Sequence, residues 1–477
     1  MNNEPVIDRI SKNETADLFR RQKEYTYRLA QTTPRERKAK LRRMLEYLNR
    51  HAEKIEQATF QDLRKPAPEA RISELLTLTT ELKYHIKHLD KWMKPQRVST
   101  PLVAIGTDGY IRYEPKGTSL IISPWNYPIN LAIKPLIYAV SAGCTAIIKP
   151  SEFAPRSADF IREMVRNLFL PEEVSVVEGD REAAECLLEL PFDHIYFTGS
   201  PNTARKVMAA ASKHLSSVSL ELGGKSPSII DQTADLASTA RNIAWAKLIN
   251  SGQSCIAPDY ILVHKNVEGP FLEELKKAFQ SMYDPKGEGV HRSADYGRII
   301  NSHHFDRLKS LYEDALAKGA KTVTGGGSNR DDLYIEPTVL VNIQMSMEMM
   351  KEEIFGPLLP VLTFESLELA VKTVNSMEKP LALYMHSRNP ENIRYVLSHT
   401  SSGNALVNEV LLQFQHPEIP FGGIGNSGMG RANGFYGFRE FSNPKGIIER
   451  KYGTMRFLHP PYNERTARIL NWLQRLM

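Results

Sequence analysis

Cysteine is scarce in this chain: there are three in 477 residues, Cys144, Cys186 and Cys255. Three thiols cannot build a disulfide framework, and none has the spacing of a metal site, so no metal is expected and a reducing compartment is. No apolar run approaches the ~18 residues of a membrane span. Residues 1–30 lack the apolar core of a signal peptide and carry Glu4, Asp8, Glu14, Asp17 and Glu24 among basic residues. The net charge of +6 is spread over both halves with no block of five or six like charges, which argues against a nucleic-acid partner. A Gly-x-Gly-x-x-Gly directly after an expected strand is also missing, so the usual dinucleotide fingerprint is absent. These absences leave a soluble protein, expected in the cytoplasm.

The chain is 42% apolar and 24% charged, a globular composition, and its length predicts two or three domains. Residues 1–95 read as helical. Leu41, Leu45, Leu48, Ala52, Ile55 and Thr59 recur at helical spacing, Pro66 and Pro68 interrupt, and Leu75, Leu78, Leu82 and Ile86 resume. Residues 98–114 read as a β-hairpin turning at Thr107-Asp108-Gly109. From Gly117 strands and helices alternate, with strands expected at 118–123, 145–150, 174–177, 195–198 and 218–222. Helices are expected between them at 130–142, 156–168, 181–190 and 202–214. This predicts an α/β fold with a Rossmann-like, doubly wound parallel sheet, whose ligands sit outside the strand C-termini. After Gly224 the alternation resumes as a second α/β unit, with a cleft between the two.

The rare thiol stands out within that frame. Cys255 ends the run Asn250-Ser251-Gly252-Gln253-Ser254-Cys255, where Gly252 permits a sharp loop that can present a thiolate. Glu221 lies upstream in Leu-Glu-Leu-Gly-Gly-Lys-Ser-Pro, and together they suggest a nucleophile and its base. Gly199 and Ser200, before Pro201, form a helix start directly after a strand, which is either an anion site or a plain connection. Lys149 and Glu152 end another strand and can bond ribose hydroxyls or simply face solvent. In Pro124-Trp125-Asn126-Tyr127-Pro128, Asn126 can donate its amide to an oxyanion or to local backbone. Glu353 and Phe355, in Lys351 to Pro357, and a glycine-rich loop over 420–430 complete the set. That loop lacks a P-loop lysine and reads as a substrate-side loop.

In this order the blocks at 124–128, 149–152, 197–200, 221–227, 250–255, 352–357 and 420–430 resemble the aldehyde dehydrogenase superfamily over nearly the full length. Trp-Asn-Tyr-Pro, Val407-Asn408-Glu409 and the ending of the 420–430 block look most like its class 3 branch, which handles fatty and aromatic aldehydes. The resemblance implies NAD(P)-dependent oxidation of an aldehyde to the acid. Cys255 would form a thiohemiacetal and then a thioester, Asn126 would bind the oxyanion, and Glu221 would activate the hydrolytic water. Lys149, Glu152 and Glu353 match ribose-holding positions, Gly199 and Ser200 lie by the pyrophosphate, and Trp125 and Phe355 line the nicotinamide side. Glu152 favours a 2′-hydroxyl, so NAD is expected to be preferred with NADP tolerated. Ala204 stands where the family often has a further glycine. The expected domains are 1–98 with 117–219 for NAD(P), 220–403 for catalysis, and 99–116 with 404–477 as bridging element and tail of a homodimer. The amphipathic segment 468–477 is expected on the body or a partner subunit, with contact to a membrane surface as the other reading. Two rivals remain: a CoA-acylating relative, disfavoured by Glu221, and a silent structural protein, which needs neither Cys255 nor Glu221.

Overall fold

The protein, seen in a computed structural model described over residues 12–454, 456 and 459–476, is built on two mostly parallel sheets and two small antiparallel ones, of three strands and of two. Glu4 and Asp8 of the acidic N-terminal stretch, and Met477 of the amphipathic tail, lie outside the described residues. In chain order the strands begin β1 (Gln96–Val98), β2 (Thr107–Pro115), β3 (Thr118–Ile122), β4 (Thr145–Lys149), β5 (Val174–Val176), β6 (His194–Gly199) and β7 (Ser217–Leu222). They continue as β8 (Pro227–Ile230), β9 (Tyr260–His264), β10 (Lys321–Thr324), β11 (Ser328–Asn329), β12 (Tyr334–Ile335), β13 (Thr338–Val341) and β14 (Leu358–Phe364). The last are β15 (Ala382–His386), β16 (Asn404–Val407), β17 (Gly428–Met429) and β18 (Ser442–Arg450).

The first sheet has the order β17-β7-β6-β3-β4-β5 and is parallel except for β17. Its central strands are apolar on both faces because helices cover both. Ile121 and Ile148 pack with Leu41, Leu48 and Leu82, while Leu120 and Ile147 pack with Leu18, Phe19 and Val207. The chain runs outward from β3 through β4 to β5, then returns to the other side of β3 as β6. A switch point therefore lies between β3 and β6, the place where doubly wound sheets bind ligands. The second sheet, β10-β13-β14-β9-β8-β15-β16, repeats the scheme with β10 antiparallel. Ile229 and Leu262 fill one of its faces, Ile230, Ile261 and Val263 the other.

Both α/β units are present, but three details differ from the sequence reading. Thr107-Asp108-Gly109 is not a turn; it is the start of β2, and the connection runs through 99–106 with Gly106 at φ +85. Pairing on both sides overrides the local turn preference: Gly109 faces Val98 of β1 and Ile448 of β18. The boundary at 219/220 cuts β7, whose last residues stay in the first sheet, so the crossover is the short stretch between Leu222 and Pro227. The segment 404–477 is not one element. Strand β16 joins the second sheet, β17 pairs with β7 of the first, and β18 pairs with β2 over nine residues. The tail forms the helix Glu464–Leu476 with Leu470 and Trp472 exposed, and among the described residues no helix is long and apolar enough to cross a membrane.

Candidate active site

Trp125 and Asn126 after β3, Gly199 and Ser200 at the end of β6, and Glu221 on β7 line one cavity at the switch point. Cys255, Glu353 and Phe355 reach the same cavity from the second unit. A second, predominantly apolar cavity is lined by Leu131, Trp245, Ile249, Phe414 and Phe421. Among the described residues, only Glu221 and Cys255 line both.

The Cys255 loop is shaped by an uncommon backbone. After the helix Leu236–Leu248, Asn250, Ser251 and Gly252 all have positive φ, at 53, 53 and 77 degrees. Asparagine and glycine tolerate this region, whereas serine there costs about 1–2 kcal/mol. A Cβ at Gly252 would collide with the Gly356 carbonyl. The motif's own amides hold the turn. Asn250 Nδ2 donates to Asn126 O at 2.8 Å and Gln253 O at 3.1 Å, while Gln253 Nε2 donates to Asn250 O and Arg298 O at 2.9 Å. Asn126 Nδ2 in turn donates to Gln253 O at 3.1 Å. Cys255 is a free, half-buried thiol. Burial, with the charges of Glu353 and Glu221 added, pushes the thiol above its ordinary range, so at rest it is protonated.

Glu221 is set by the register of three strands, between Thr198 of β6 and Gly428 of β17. It is buried and accepts a hydrogen bond from the Tyr196 hydroxyl. Burial raises its pKa above the usual carboxylate range, while Tyr196 and the charge of Lys134 oppose the rise. A carboxylate so placed is more basic than an exposed one and sits within reach of two cavities.

The cofactor-side residues fit a dinucleotide. Ser200 caps the helix Pro201–Ser212 by accepting from Thr203 N at 3.3 Å, leaving the free N–H groups of a helix start beside the cavity for an anion. Thr198 Oγ1 lines the same cavity, buried and without a hydrogen-bond partner among the described residues. Burial first, then Asp259, pushes Glu353 up to about 8 against the Gly224 N–H; a Cβ at Gly223 would collide with its carboxylate. The Trp125 and Phe355 rings meet edge to face at 5.4 Å. An anion-binding helix start, an unpaired hydroxyl, a carboxyl and two aromatic rings match phosphates, ribose and a planar ring. Lys149 and Glu152 are not among the residues lining this cavity; they form an ion pair at 2.8 Å at the end of β4, the strand beside β3.

The structure adds residues that the sequence does not single out. His304 and Arg307 line the cofactor-side cavity, His304 with its ring 5.0 Å from Trp125 and its pKa lowered to about 4 by burial, then by Arg307. Nothing in the run Ser302-His303-His304 distinguishes one histidine from the other. Beneath the 124–128 turn lies a fully buried ion pair, Lys65 Nζ to Glu74 Oε1 at 2.8 Å. Lys65 also donates to Asn126 O at 3.1 Å, and Glu74 Oε2 accepts Asn130 N at 2.7 Å. Lys65→Met leaves Glu74 buried without its cation, so unfolding by urea is expected to show a loss of about 3–5 kcal/mol. Lys65→Met combined with Glu74→Leu should recover a large part of that loss; a single variant as stable as wild type contradicts the assignment.

The chain is similar to proteins of one family over nearly its whole length. A model of the aldehyde dehydrogenase family matches residues 6–447. The chain is 40% identical over 427 residues to the 4,4′-diaponeurosporen-aldehyde dehydrogenase of Staphylococcus aureus, covering 89% of this chain and 92% of that protein. It is 39% identical over 437 residues to aldehyde dehydrogenase family 3 member B1 of Mus musculus, covering 91% and 92%. The substrate-bound Staphylococcus aureus AldH superposes with a TM-score of 0.90 at 38% identity, over 96% of this chain and 99% of that one. The chain belongs to the aldehyde dehydrogenase family, as an oxidoreductase that oxidises an aldehyde with NAD or NADP.

Proposed function

We propose that the protein converts a medium- or long-chain aliphatic, or an aromatic, aldehyde to its carboxylic acid through a thioester on Cys255 that Glu221 helps to hydrolyse. The observation that carries this is the meeting of one thiol and one buried carboxylate where the two cavities join. The apolar walls of Leu131, Trp245, Phe414 and Phe421 suit an apolar chain or ring, with the carbonyl at the Cys255 end.

Cys255 Sγ attacks the carbonyl carbon as its proton passes through water to the solvent, and the developing oxyanion is received by Asn126 Nδ2 and the Cys255 N–H. Ser200, Glu353 and the Trp125 and Phe355 rings would hold NAD or NADP, which would supply the hydride acceptor, and Cys255 keeps the acyl group as a thioester. Glu221 then takes a proton from water, and hydroxide addition releases the acid and the thiol. Glu152 beside Lys149 favours a 2′-hydroxyl, so NAD is preferred with NADP tolerated. Release to CoA needs no such base, and a silent structural protein needs neither residue. The same reading makes the protein a cytoplasmic homodimer. Three free thiols and the exposed three-stranded sheet β1-β2-β18, with Ile448 75% exposed, support that part.

Purified protein with NAD should form NADH on hexanal, decanal, hexadecanal, benzaldehyde, coniferyl aldehyde or 4,4′-diaponeurosporen-aldehyde, and mass spectrometry should find the acid without added CoA. Folded protein that binds NAD yet oxidises none of them sinks the proposal. A strict need for CoA turns it to the acylating alternative.

A further inference from the structure

The three-residue left-handed run ahead of Cys255 exposes a gap in the loop's self-support. Its side-chain amides bond within the motif and to Asn126 O and Arg298 O, but the Asn250 backbone N–H, just past the end of the helix Leu236–Leu248, has no partner among these groups. Asn250 is a buried residue, and its N–H left unpaired would cost about 1–3 kcal/mol. The partner arrives from 181 residues away in sequence: Glu69 Oε1 accepts it at 2.7 Å.

Glu69 stands on the short helix Ala67–Ala70, which runs directly into a π-helical turn, Arg71–Leu76, whose Ile72 and Ser73 line the apolar cavity. The same segment carries Lys65 to Asn126 O and Glu74 to Asn130 N. One stretch of chain thus holds both the 124–128 turn and the thiol loop from beneath. Glu69 is a costly choice for that post, since burial raises its carboxyl to about 7 even with Lys65 nearby.

We infer that Glu69 is the positioning residue of the thiol loop, fixing the Asn250–Gly252 kink so that Cys255 stands at the junction of the two cavities. The inference rests on the proposed role of Cys255. Glu69 touches no reacting atom; it acts by fixing the amide at which the kink begins. Because the kink is intrinsically unfavourable, loss of its external anchor lets the loop relax and displaces the sulfur. A displacement of about 1 Å lowers turnover about 100-fold.

The experiment compares wild type with Glu69→Leu and Glu69→Gln, measuring kcat, aldehyde KM, NAD affinity and the rate at which iodoacetamide labels Cys255. Glu69→Leu is expected to lose about 10- to 100-fold in kcat and a comparable factor in labelling, with KM and NAD affinity within about threefold. Glu69→Gln keeps an acceptor oxygen for Asn250 N–H and should restore both rates to within about threefold. If Glu69→Leu does not fold, Glu69→Asp answers the question, since its acceptor is one methylene short and should show the same loss. Wild-type kcat and labelling in Glu69→Leu, or in Glu69→Asp where Leu fails to fold, overturn the inference, as does a Gln variant as impaired as Leu. An inactive wild type refutes the function instead, so the two failures are separable.

Discussion

Cys255→Ala is expected to lower aldehyde oxidation by about 10⁴-fold or more, with the fold and NAD binding unchanged. The size follows from the absence of a substitute: among the described residues, no other cysteine lines either cavity. Cys144 is buried against the Phe441 carbonyl, to which its Sγ donates, and Cys186 lies on the outer helix Arg181–Leu188. Alanine fills less space than the thiol and leaves the Asn250 and Gln253 bonds that shape the loop intact. Steady-state kinetics beside a fluorescence titration with NADH checks both halves. Turnover within tenfold of wild type would remove Cys255 from the mechanism.

Glu221→Gln should split the reaction instead of abolishing it. A fast phase equal to one NADH per active site is expected, followed by a steady rate lower by about 10²- to 10⁴-fold as the thioester waits for its water. Mass spectrometry of quenched protein should find the acyl group on the peptide containing Cys255. The pH dependence carries a sign. Glu221 must be ionised to accept a proton, and burial raises its pKa, so wild-type kcat should fall on acidification at a pH above that of an ordinary glutamate. The Gln variant should lack that limb. If the variant turns over at the wild-type rate with no burst, hydrolysis does not depend on Glu221.

Much of this was legible in the sequence because it is local. The strands of the first sheet are short apolar runs with helices between them, and the motif residues fall at their C-terminal ends, where topology places ligands. Cys255 announced itself by rarity and by Gly252. What was not legible depends on partners distant in sequence. The Thr107-Asp108-Gly109 stretch has the composition of a turn and becomes strand only because β18 arrives more than 330 residues later. Tyr196 reads as one aromatic in a buried strand; its bond to Glu221 needs β6 beside β7 in register. Glu69, Lys65 and Glu74 look like solvated charges on an amphipathic segment until the 124–128 turn and the thiol loop are laid over them.

The pairing of β17 with β7 bears on how the molecule comes into being. Leu220 and Glu221 meet Met429 and Gly428, so the edge of the first sheet stays open while the whole second unit is synthesised. Through that interval the ribosome holds a nascent chain whose future base and its β6 neighbour are already made but whose β17 neighbour does not yet exist. Contacts of such sequence separation slow folding. A chain released before residue 429 would have its thiol, its base and both cofactor-side turns, but not the strand that closes the sheet beside Glu221.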